Sequence, residues 1–72
     1  MNDDRPQSLA DALPIEMARA RTVLGYFREI GPAGAFGAVM IEQALRHADA
    51  AVMSGDVVEM LRAYEDLKSI KE

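Results

Sequence analysis

The seven residues Gly31-Pro32-Ala33-Gly34-Ala35-Phe36-Gly37 are the part of this chain that most readily suggests chemistry. A glycine-rich loop that opens a helix can cradle a phosphate with its backbone N–H groups. Arg19 and Arg28 lie upstream, and arginine makes bidentate contacts with phosphates and carboxylates. Arg19, Arg28, Gly34 and Gly37 therefore form the candidate site for a small anionic ligand such as a nucleotide. The motif is incomplete, however. No strand precedes the loop, no Gly-Lys-Ser/Thr ending follows it, and the Rossmann spacing is absent. The competing reading is a helix-to-helix turn whose small residues permit close packing, and the sequence favours it.

His47 is the one histidine. Glu42 and Asp49 are its sequence neighbours, and Glu59 approaches it if the chain folds back. A catalytic acid–base pair needs a cleft that excludes water, and about sixty ordered residues enclose little volume. Ser8, Ser54 and Ser69 fall in a tail and in turns, so no Ser-His-Asp grouping is credible. Cysteine is absent, which removes thiolate zinc sites, disulfides and cysteine nucleophiles. No catalytic residue, metal or cofactor is assigned. Arg19, Arg21, Arg28, Arg46 and Arg62 form no continuous stripe and read as solvated charge.

Length and composition narrow the elements that position these residues. The chain has 72 residues, half of them hydrophobic, with only four aromatics and a net charge of −4. Much of the hydrophobic share is alanine, which suits close-packed helices and not sheets. The mild acidity argues against nucleic-acid binding. No apolar span is long enough to cross a membrane. The acidic start Met1-Asn2-Asp3-Asp4 is unlike a secretion signal, and a cytoplasmic location is expected. A core this small supplies only about 3–5 kcal/mol. Without disulfides or metal, self-association is the expected supplement.

Residues 1–12 are expected to form a flexible tail, followed by one helical domain over 13–72. A turn capped by Ser8 is conceivable, but Pro14 should stop it from running on. The first helix is expected over about 14–30, with Pro14 in its opening turn. Its buried stripe would be Ile15, Ala18, Thr22 or Val23, Tyr26, Phe27 and Ile30. Gly25 inside it suggests close approach of a neighbour. Gly31 and Pro32 end it.

The second helix is expected over about 34–54. Its apolar stripe (Phe36, Val39, Met40, Ile41, Ala44, Leu45, Ala48, Ala51, Val52) is wide enough for neighbours on two sides. Glu42 and Arg46 have the spacing of an i,i+4 ion pair. Ser54-Gly55-Asp56 is a tight joint. Asp56 caps the third helix, over about 57–70, with Glu59 completing a capping box. Val57, Met60, Leu61, Tyr64 and Leu67 form its stripe. So short a joint makes helices two and three an antiparallel hairpin. The fold class is all-α, a three-helix domain, and an oligomeric one is expected.

Met17, Met40, Met53 and Met60 recur in the stripes, chiefly as core filling. Phe36, Met40, Met60 and Tyr64 are the candidate partner-binding residues. The second stripe exceeds what two short helices cover, and aromatic and methionine side chains are enriched at interface centres.

The run Gly31–Gly37, then Met40-Ile41-Glu42, then Ser54 through Tyr64 resembles small uncharacterised proteins of prophages and Mu-like bacteriophages of proteobacteria. The resemblance spans about residues 13–70. It implies a phage accessory protein that binds and blocks a host protein, such as a defence component or regulator. The leading expectation is thus a non-enzymatic protein-interaction module that binds itself and a host protein. The alternatives are an anionic-ligand or nucleotide binder and a phage structural or assembly component.

Overall fold

The computed structural model describes residues 8–71. Every element among them is helical: α1 (Leu9–Ile30), a single 3-10 turn (Gly31–Gly34), α2 (Ala35–Ser54) and α3 (Val57–Lys68). The part of the expected tail before Ser8 lies outside the described residues.

Helix α1 begins five residues earlier than expected, so residues 9–12 belong to it. Ser8 is its N-cap, with Oγ accepting from the Asp11 N–H at 3.2 Å. Pro14 sits inside the helix. Its missing N–H leaves only the Ala10 carbonyl without an intrahelical donor, and Ala10 is exposed to water. The cap at one end and Leu13, wholly buried, outweigh that local loss.

Leu13 also fixes which side of α1 faces inward. The buried residues are Leu13, Met17, Ala20, Val23 and Leu24. Ile15, Tyr26 and Ile30 of the expected stripe are exposed. Both sets obey helical spacing. A helix begun at Pro14 omits the leucine that anchors the true one.

Gly31 ends α1 at φ +83°, a backbone region that strains any side chain. The chain then reverses, and α2 packs antiparallel to α1, with Arg28 paired to Glu42 and Phe27 beside Gly37. This cross-helix pair replaces the expected Glu42–Arg46 pair, and Arg46 lies exposed. The close approach falls at Gly34 and Gly37. A Cβ on Gly34 would overlap the Phe27 carbonyl oxygen, and one on Gly37 would overlap the Phe27 ring. Gly25, expected to serve that purpose, has open space where a Cβ would be.

Gly55 adopts the left-handed conformation at φ +73° and closes α2. Asp56 caps α3, its Oδ1 accepting from the N–H groups of Val58 at 3.0 Å and Glu59 at 3.2 Å. The capping box is not completed by Glu59. Ser54 Oγ accepts from the Asp56 N–H at 3.2 Å, which frees the Glu59 carboxylate for other partners. Helices α2 and α3 pack together, and α3 lies in the trough between α2 and α1.

The core is built largely from small residues. Of its twelve buried members, five are alanines: Ala20, Ala38, Ala48, Ala51 and Ala63. They let helix backbones approach closely while burying little apolar area each. No helix among the described residues is long and apolar enough to cross a membrane.

Candidate functional site

Two side chains tie α3 into the trough. Arg19 lies between a partner on its own helix and the end of α3. Its Nε donates to Glu16 Oε1 at 3.1 Å, while its Nη1 and Nη2 donate to the Ile70 carbonyl at 3.0 Å and the Leu67 carbonyl at 2.8 Å. The last carbonyls of a helix lack intrahelical donors, and a guanidinium also complements the negative end of the dipole. Arg19 thus terminates α3 from across the bundle.

His47 performs the matching task from α2. Its Nε2 lies 2.9 Å from Glu59 Oε1. A carboxylate can only accept, so Nε2 carries the proton. On the other side Nδ1 is 3.7 Å from Asp66 Oδ2. Glu59 is further held by Arg62, at 3.2 Å. The approach of Glu59 to His47 follows from the hairpin reading. Asp66, seven residues further on, was not anticipated, although it lies two helical turns along the same side. The His47 side chain is about one-third exposed. The groove beside it is lined by Met40, Ala44, Asp66 and Ile70 among others. No group of three His, Cys, Asp or Glu side chains among the described residues is arranged to hold a metal.

The anionic-ligand set does not converge. Gly34 and Gly37 are packed against Phe27. Arg28 pairs with Glu42 and Arg19 is engaged at the end of α3. Nine residues separate the two arginines on one helix, which turns them about 180° apart.

The four candidate partner-binding residues divide into two pairs. Met60 and Tyr64 pack against the core, with Lys68 Nζ 5.5 Å over the Tyr64 ring. Phe36 and Met40 are outside, Phe36 at 79% exposure. The wide stripe of α2 is therefore two surfaces: Ala38, Ile41, Leu45, Ala48 and Ala51 face the core, and Phe36, Val39 and Met40 face solvent.

Exposed apolar residues outnumber large buried ones. Among the described residues, seven large hydrophobic residues are buried and eleven are exposed, with Phe27, Met60, Tyr64 and Ile70 partly buried against the core. The exposed set gathers at the two ends of the bundle. At the joint between α2 and α3 stand Val52, Met53, Val57, Val58 and Leu61, with Met53 at 88% exposure. At the opposite end, around the 3-10 turn, stand Tyr26, Ile30, Phe36, Val39 and Met40. The chain has no match among protein-family models, curated proteins or solved structures.

Proposed function

We propose that this chain is a non-enzymatic protein-interaction module whose exposed apolar ends bind other proteins. The observation that supports this reading most is the number of large apolar side chains left exposed at the two ends of the bundle. Scattered surface hydrophobics are ordinary, but two gathered sets on so small a domain mark contact surfaces. Phe36, Met40 and Tyr26 are also of the types that interface centres favour. An enzyme is disfavoured because His47, Arg19 and Arg28 are engaged in holding one helix to another.

We further propose that the chain is a cytoplasmic phage or prophage accessory protein, as the likeness of residues 13–70 implies, that blocks a host defence component or regulator. Capture of the tagged chain from a proteobacterial host, read by quantitative mass spectrometry, tests this. The expected result is one host protein enriched with the wild type and lost with either Phe36→Glu or Met53→Glu, which assigns the end that binds it. Enrichment insensitive to both variants, or recovery only with virion proteins, would overturn it in favour of an assembly component.

A further inference from the structure

The third helix stops before the trough that holds it. Helix α3 has 12 residues against 22 in α1 and 20 in α2, about 18 Å against 33 and 30 Å. Arg19 marks the side of α1 that faces α3, since it donates to the carbonyls of Leu67 and Ile70. Tyr26 and Ile30 follow it by seven and eleven residues, which is the same side two and three turns on. His47 marks the corresponding side of α2, since it meets Glu59 and Asp66. Met40 and Phe36 precede it by seven and eleven residues. The two helices run antiparallel, so all four side chains lie at the same end, Met40 level with the end of α3, where it shares a groove with Asp66 and Ile70, and the other three beyond it. They continue the walls of the trough, with Phe27 against Gly37 at the seam.

We infer that this open end of the trough seats a second copy of the chain, in a two-fold dimer in which each copy covers the other's. Charge selects that occupant. No charged residue occurs from Ile30 through Ile41; exposed Glu29 adjoins Ile30 and Asp66 shares a groove with Met40, so it is the uncharged stretch between them that meets its own image. The joint end is different: exposed Asp49 and Asp56 stand among its apolar residues, and two copies meeting there would oppose carboxylates. A two-fold contact must be self-complementary, and Phe36 protrudes from this patch.

The area is also sufficient. Aromatic side chains carry about 150–250 Å² each. Tyr26, Ile30, Phe36, Val39 and Met40 at roughly half exposure therefore offer about 500 Å² per copy. Complete coverage of these side chains in both copies removes about 1,000 Å², the lower bound for a specific interface.

The inference rests on the protein-binding reading, and sedimentation equilibrium separates the two. The wild type at micromolar concentration should have twice the 7.9 kDa mass of the chain. Phe36→Glu should weaken association by about thirtyfold, a hot-spot loss, with unchanged helical circular dichroism. Met40→Glu should do the same and covers the case in which the first variant disturbs folding. Met53→Glu, at the other end and as exposed, should remain dimeric. A monomeric wild type, a dimeric Phe36→Glu or a monomeric Met53→Glu would overturn the dimer. A monomeric wild type that still captures a host protein would do so while leaving the interaction reading intact.

Discussion

The two ends of this bundle are made from similar residues and end up differently. At the joint end three helices meet. Leu13, Ala51 and Ala63 are buried there, Ser8 and Asp56 cap the two helix starts, and Gly55 closes α2. At the 3-10 end only α1 and α2 remain, drawn together at Gly34 and Gly37. Apolar side chains that a third helix would have covered are left in water. The same spacing of hydrophobic residues thus specifies core where a third element is present and contact surface where it is not. Helix length, more than helix pattern, makes the difference.

The sharpest test of that contrast is truncation on each side of it. Leu67 is wholly buried under the end of α3, and Leu67→Ala should cost about 3 kcal/mol. That is most of what so small a domain has, and urea titration should find it largely unfolded. Phe36→Ala, measured at a dilution where the chain is monomeric, should change stability by less than about 0.5 kcal/mol. Equal losses at the two positions would erase the distinction between the ends.

Gly34→Ala should follow, at about 2 kcal/mol, because the added Cβ meets backbone and the Phe27 carbonyl has nowhere to go. Thermal melting checks it. Gly37→Ala should cost less, since a ring can shift where a carbonyl cannot. Arg19→Ala should lose about 1.5 kcal/mol, the scale of hydrogen bonds made by a charged donor. Amide exchange should show that loss as fraying confined to the last turn of α3. The smallest effect has the opposite sign. Gly25→Ala meets open space and should stabilise α1 by about 0.5–1 kcal/mol, read as a raised melting temperature.

Three helices, the breaks at Gly31 and Gly55 and the Asp56 cap are legible in the sequence because each depends on residues within one turn of each other. What is not legible depends on the third dimension. Glu42 has a correctly spaced Arg46 and still pairs with Arg28 on α1, because the antiparallel register brings a second arginine within reach. Arg19 looks like a solvated cation until the length of α3 places the carbonyls of Leu67 and Ile70 beside it. Pro14 misleads in the other direction. A proline rule applied to one residue discards Leu13, and with it the phase of the whole α1 stripe. Phe36 and Met40 stand out from their residue types and the width of the stripe. Tyr26 and Ile30 read as core, since nothing local announces that α3 ends before reaching them.

The most direct test of an open trough end that serves as a contact surface is a dilution series of amide chemical shifts on the wild-type chain. The expected result is concentration-dependent movement concentrated at Tyr26, Ile30, Phe36, Gly37 and Met40, with Met53, Val57 and Leu61 unmoved. Shifts that ignore concentration, or that move at the joint end instead, would contradict it.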